Sequence, residues 1–232
     1  MKQMKTAFVL GAGRGERLKP LTDACPKPLL PVKGKPLITF ALDHLLTVEV
    51  ERFIINTHHR AERYAEVFPD GSWRGRPIVF RHEPVLLNTG GGLKNIADLI
   101  DKEEHLWVYN GDVISNLPLK KLWEAHIEGG HEVTLALRTE GRNLNVGVDN
   151  EGRICDFRFA LRARCANYYQ FTGIYVVRKA FLNHLPAGVP VDIVDIFLEL
   201  VRKEPGVIGG VLIDDGTWLD VGDPETYGRL NL

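Results

Sequence analysis

Apolar residues along this chain fall into short runs separated by glycine and proline. Lys5–Leu10 carries Thr-Ala-Phe-Val-Leu up to Gly11, the pattern of a buried strand. Arg52–Asn56, Pro77–His82, Leu106–Tyr109 and Glu132–Leu137 repeat that pattern. Helical spacing lies between them. Ile38, Leu42, Leu45 and Leu46 share one face after Pro36, which stands where a first helical residue would. Ala61–Phe68, a segment opened by Thr89-Gly90-Gly91-Gly92 and running to about Ile100, and Leu119–Glu128 are the next helices. Strand and helix thus alternate through residue 137, which predicts a mostly parallel sheet with helices on both faces. Beyond it the rhythm changes to strands at Val146–Val148, Arg153–Phe157 and Tyr168–Val177. A helix at Asp192–Lys203, strands at Val207–Ile213 and Thr217–Val221 and a helix at Pro224–Leu230 complete the pattern.

Composition narrows the setting. Of 232 residues, 44% are apolar and 25% charged, and 29 Lys and Arg oppose 30 Asp and Glu for a net charge of −1. That balance gives no general field for nucleic acid. The longest uncharged run, Cys165–Val177, is too short and too polar for a bilayer. The basic start Met1–Lys5 leads into an apolar stretch that ends at Gly11, so no secretory segment is expected. Cys25, Cys155 and Cys165 are odd in number and widely spaced, which predicts no disulfide framework and a reducing, cytoplasmic home. The expectation is one domain with no internal repeat and no appended β-helix after Trp218–Leu232.

The chemistry starts after the first strand. Gly11, Gly13 and Gly15 fit neither G-x-G-x-x-G nor the P-loop; the pattern is Gly-x-Gly-x-Gly-x-Arg-Leu. Bare backbone N–H groups beside Arg17 and Lys27 make a polyanion site. Pro26 and Pro28 stiffen the chain on either side of Lys27, and the prolines through Thr22–Val32 exclude a regular helix there. Thr89–Gly92 is a second place where a flat base or a phosphate can approach backbone. Asp112 follows the apolar strand that ends at Asn110-Gly111, where open parallel sheets bind ligands, and is a metal-ligand candidate. Asp220 stands at another strand end. The eight histidines show no metal spacing, His58 and His59 being adjacent, and no nucleophilic Ser or Cys constellation occurs.

These pieces, in this order, resemble the sugar-1-phosphate nucleotidylyltransferases. Leu10–Thr22 followed by Pro26-Lys27-Pro28-Leu29-Leu30-Pro31 looks like that family's signature. The likeness continues at Gly34–Leu37, Thr89–Gly92, Asn110-Gly111-Asp112, Phe171–Ile174 and Trp218–Gly222. It is strongest toward small bacterial members that act on N-acetylmuramate, mannose or heptose 1-phosphates. The resemblance implies a three-layer α/β/α Rossmann-like mixed sheet, with a nucleotide-binding half at about 1–137 and a sugar-binding half at about 138–232. It implies that Leu10, Gly11, Ala12, Gly13, Gly15, Arg17, Asn88, Thr89, Gly90 and Gly91 bind the nucleotide. Lys27 lies by the reacting phosphates, and Arg17, Lys27 and Asp112 carry catalysis. Asp112 and Asp220 hold Mg²⁺, while Asn110, Gly147, Thr172, Gly173 and Arg158 border the sugar. The implied partners are a nucleoside triphosphate and a sugar 1-phosphate, with neither nucleic acid nor membrane, in a monomer or homodimer supplying cell-wall or polysaccharide precursors.

Two departures stand out. Asn88 replaces the Glu or Gly that relatives often carry before Thr-Gly-Gly, and Asp156-Phe157-Arg158-Phe159 replaces Glu-Lys-Pro. Arg158, Arg162 or Arg164 is left to supply the missing sugar-phosphate cation, or none does. UTP is the favoured donor and GTP the second. Two other functions use the same loops. One is a nucleotide-sugar-binding regulator without turnover, against which intact Lys27, Asp112 and Asp220 argue. The other is a cytidylyltransferase for an alcohol phosphate such as phosphocholine, with rings from Tyr168, Tyr169 and Phe171.

Overall fold

The computed structural model describes residues 4–100 and 102–232; the basic start at residues 1–3 lies outside them. The first strand, β1, spans Thr6–Leu10. A single turn, α1 (Leu21–Ala24), and a 3₁₀ turn at Lys27–Leu29 replace any continuous helix in the proline-rich loop. Two-residue strands β2 (Pro31–Val32) and β3 (Lys35–Pro36) precede α2 (Ile38–Leu46), so Pro36 belongs to a bridge and not to the helix. Next come β4 (Arg52–Thr57), α3 (Glu62–Val67), β5 (Ser72–Trp73) and β6 (Arg76–His82). The glycine-rich α4 is only Asn88–Lys94 and loosens into a 3₁₀ turn at Ala97–Ile100, in keeping with the low helix propensity of three glycines. Strands β7 (His105–Asn110) and β8 (Val113–Ser115) lead to α5 (Leu119–Gly129), which Gly130 ends in the left-handed region. Strands β9 (Val133–Arg138), β10 (Leu144–Val148), β11 (Ile154–Phe157) and β12 (Asn167–Arg178) follow. The chain then forms α6 (Ile193–Lys203), β13 (Ile208–Leu212), β14 (Trp218–Asp220) and α7 (Pro224–Leu230).

Among the described residues ten strands form one sheet, in the order β11-β10-β12-β7-β1-β4-β6-β5, with β9 on β12 and β13 on β9. The central strands β7, β1, β4 and β6 are parallel. The antiparallel ladders gather around β12, the longest strand. Side chains alternate across the sheet. Phe8 and Ile54 pack with Leu93, Phe197 and Val201 on one face, while Ala7, Val9, Phe53 and Ile55 pack with Leu42, Leu45 and Leu122 on the other. Both faces are therefore covered, as the alternation of strand and helix predicts. Asp192 and Asp223 cap α6 and α7, each accepting from a backbone N–H of the first turn. No helix among the described residues is long and apolar enough to cross a membrane.

Two further features are not visible in the sequence pattern. Val113–Ser115 is a strand, paired antiparallel with Trp218–Asp220 in a ribbon outside the main sheet. Cys155 and Cys165, far apart by spacing, bring their Sγ atoms to 2.8 Å because β11 and the loop after it fold back on each other.

Candidate active site

Strands β1 and β7 are parallel neighbours, with Leu10 opposite Asn110, and Gly111 N–H donates to Leu10 O at 3.0 Å. The glycine loop and Asp112 therefore leave the sheet side by side at its carboxyl edge, where parallel sheets bind ligands. The first glycine is required by space: a Cβ on Gly11 would stand 2.7 Å from Asn56 O and 2.9 Å from the Tyr64 hydroxyl. Gly15 is required by conformation, with φ at +62° and Thr22 Cγ2 2.7 Å from where its Cβ would be. Gly13 differs, since a Cβ there would meet nothing within 4 Å. It lines a cavity of about 780 Å³ whose wall also includes Leu10, Ala12, Arg17, Lys27, Asn88, Thr89, Asn110, Asp112 and Arg158.

At the charged centre, Lys27 and Asp112 line the wall, and Asp220, which does not itself line it, is brought beside them by the β8–β14 ribbon. Its register sets Asp220 opposite Val113, and Val221 N–H donates to Asp112 O at 3.0 Å. Two carboxylates far apart in sequence thus become neighbours. Lys27 Nζ donates to Asp112 Oδ2 at 2.5 Å, with the lysine side chain only 11% exposed. Burial pushes the Asp220 carboxyl above the usual carboxylate range, the Asp112 charge adds to that, and the Lys27 and Arg17 charges partly offset it. Asp220 Oδ1 is buried and has no hydrogen-bond partner among the described residues. Gly222 leaves room for this group: its missing Cβ would lie 3.1 Å from an Arg17 nitrogen and 3.2 Å from Asp220 Oδ1. Among the described residues no three His, Cys, Asp or Glu gather into a metal cluster.

Across the cavity, Arg158 donates to Asp192 Oδ2 at 2.8 Å. Thr89 Oγ1 donates to Asp192 Oδ1 at 3.3 Å and accepts from Ile193 N–H at 2.9 Å. Tyr175 also faces the cavity, with a hydroxyl that is buried and unpartnered among the described residues. Burial, and then the nearby Asp192 charge, push that hydroxyl well above the usual tyrosine range.

Several expected residues do not reach the cavity wall. Gly90 and Gly91 are buried, and both N–H groups donate to Val191 O, at 2.9 and 3.2 Å. Their missing side chains admit the Val189–Ile193 segment. Gly147 packs under Cys165 Sγ and Asp156; Thr172 is buried and donates to Ala136 O; Gly173 packs against Asn110. Conversely Tyr175, Asp192 and Phe171 line the cavity, and the sequence pattern assigns no ligand role to Tyr175 or Asp192. Asp192 has one visible signal, its place before an apolar helix, which indicates a cap and says nothing of Arg158.

The match to known proteins follows this geometry. A family model described as nucleotidyl transferase covers residues 6–232. The chain belongs to that family. It is 32% identical over 227 residues to a mannose-1-phosphate guanylyltransferase of Mycobacterium tuberculosis, covering 96% of this chain and 62% of that protein. The chain thus spans about three-fifths of the length of that relative. It is 29% identical to the N-acetylmuramate alpha-1-phosphate uridylyltransferase of Neisseria meningitidis, covering 93% of this chain and 92% of the relative. A solved structure of a putative glucose-1-phosphate thymidylyltransferase from Bacillus anthracis shares the fold at a TM-score of 0.82, with 22% identity, over 98% of this chain and 94% of that one.

Proposed function

We propose that the chain joins a nucleoside triphosphate, UTP first and GTP second, to a sugar 1-phosphate, giving a nucleotide sugar and pyrophosphate. The observation that carries this is the meeting of Lys27, Asp112 and Asp220 beside the glycine loop, at the carboxyl edge of the parallel strands. An oxygen of the sugar phosphate attacks the α-phosphorus and forms a new P–O bond. The bond to the bridging oxygen breaks, and its electron pair leaves with pyrophosphate. The attacking oxygen is already anionic at neutral pH, so no general base is needed.

Lys27 and Arg17 lower the repulsion between two anions, and the loop from Gly13 to Gly15 offers backbone N–H groups to the triphosphate, those of Gly11 and Ala12 being bonded to Asn56 Oδ1. Asp112 and Asp220 fit Mg²⁺, since hard carboxylate oxygens suit it and Asp220 Oδ1 has no other partner among the described residues. Bound there, Mg²⁺ supplies charge neutralisation at the α-phosphate. Arg158, already oriented by Asp192, is the cation on the acceptor side. Both substrates are water-soluble metabolites, and we place the reaction in the cytoplasm.

The test is a grid of four nucleoside triphosphates against a panel of sugar 1-phosphates with Mg²⁺, read as pyrophosphate release. Release in a uridine or guanosine row is expected; no release in any well would overturn the proposal.

A further inference from the structure

Two buried polar side chains lie behind the cavity, outside its wall. Asn56, at the end of β4, is 1% exposed, and Glu83, just after β6, is fully buried. Asn56 Oδ1 accepts from Gly11 N–H at 2.8 Å and from Ala12 N–H at 3.2 Å. Its Nδ2 donates to Glu83 Oε1 at 2.7 Å, and Glu83 Oε2 accepts from Leu87 N–H at 2.9 Å. Gly92 makes room for the pair, since a Cβ there would stand 2.8 Å from Asn56 Nδ2 and 2.9 Å from Glu83 Oε1. One continuous hydrogen-bonded chain therefore runs from the first glycine loop to the residue that precedes Asn88 and Thr89.

We infer that Asn56 and Glu83 are positioning residues that hold these two nucleotide-facing segments in one register. The inference rests on the proposed nucleotide site and goes beyond it, naming what sets the spacing of its two walls. The device depends on polarity. Glu83 meets a donor at each oxygen, and a carboxylate accepts at both. Glu83→Gln keeps nearly the same shape but turns one acceptor into a donor. In either orientation of the new amide, one of its N–H groups faces Leu87 N–H or Asn56 Nδ2. Rotating Asn56 moves the conflict to Gly11 and Ala12. Asn56→Asp fails for the opposite reason, with two carboxylate oxygens facing each other.

The double change Asn56→Asp with Glu83→Gln restores every bond, with the direction between the two side chains reversed. The new carboxylate at position 56 accepts from Gly11, from Ala12 and from the new amide at position 83. The carbonyl oxygen of that amide accepts from Leu87. The experiment uses the full chain and compares wild type, Glu83→Gln, Asn56→Asp and the double variant. Triphosphate affinity is read without acceptor, alongside KM for each substrate and amide hydrogen exchange at Gly11, Ala12 and Leu87. Each single change should weaken triphosphate binding by about tenfold or more, the effect of one buried unpaired donor or acceptor. It should leave the acceptor KM unchanged and speed exchange at those amides.

The double variant should recover most of both losses. Single variants that match wild type, or a double variant at least as impaired as either single one, would overturn the inference. Should neither single variant accumulate as folded protein, a folded double variant with near-wild-type exchange supports it and an unfolded one refutes it. Wild type that binds no triphosphate refutes the proposed function, while the exchange pattern across the four proteins still decides the coupling.

Discussion

Asp220→Asn should make the cation-free protein more stable while removing Mg²⁺-dependent turnover. In the folded chain the Asp220 carboxyl sits above its ordinary value of 3.8, chiefly through burial and then through the Asp112 charge. Folding therefore disfavours its charged form. That penalty is fully present above the folded pKa and disappears as the pH falls below the ordinary aspartate value. A buried polar atom without a partner costs about 1–3 kcal/mol, more when charged, and Oδ1 is such an atom among the described residues. Lys27 and Arg17 offset part of this, which leaves roughly 1 kcal/mol to be recovered by a neutral amide. In a chain of this size that is a rise in Tm of about 2–4 °C. Calorimetry in chelator at pH 7 should show it, and the gain should shrink as the buffer is taken down toward pH 4. An Asp220→Asn protein that melts below wild type at pH 7 would refute the account of the carboxylate pair. So would a gain that is constant with pH.

Lys27→Met should slow pyrophosphate release by about 10²–10³-fold under saturating substrates, the usual effect of one electrostatic contact to a transition state. Single-turnover kinetics showing a rate close to that of wild type would remove it from that role. Gly11→Ala and Gly13→Ala should separate cleanly: the first meets Asn56 O and the Tyr64 hydroxyl and lowers Tm, whereas the second has open space and leaves stability within about 0.5 kcal/mol of wild type. Equal losses in thermal melts would contradict the cavity geometry. Cys155, whose thiol burial pushes up to about 12, should resist alkylation at pH 8 in the folded protein and react once unfolded. Peptide mapping that finds it labelled as fast as in the unfolded chain would show the β11 edge to be open.

Much of the fold is legible in local pattern. Strands β1, β4, β7 and β9 are apolar runs because both faces are covered, and α6 shows its apolar stripe and its Asp192 cap together. The glycine loop and Asp112 are visible for a similar reason: each sits at a strand end, which sequence marks by an abrupt stop. Lys27 stands out because a proline flanks it on either side. Short ladders escape. Three residues are too few to show a period, so β8 is silent in the sequence although its pairing with β14 builds the charged centre. Gly90 and Gly91 signal a close approach in the sequence, and only packing reveals that Val189–Ile193 lies against them.

Local sequence is enough to mark the segments that can be buried strands, the places where the chain turns and the charged side chains that flank the glycine loop. These depend on residues close together along the chain. Tertiary structure alone decided that Asp112 meets Asp220, that Arg158 is held by Asp192, and that Asn56 and Glu83 join two loops. Each of those depends on sheet order and register, which bring distant segments within hydrogen-bonding range, and no local spacing encodes that distance.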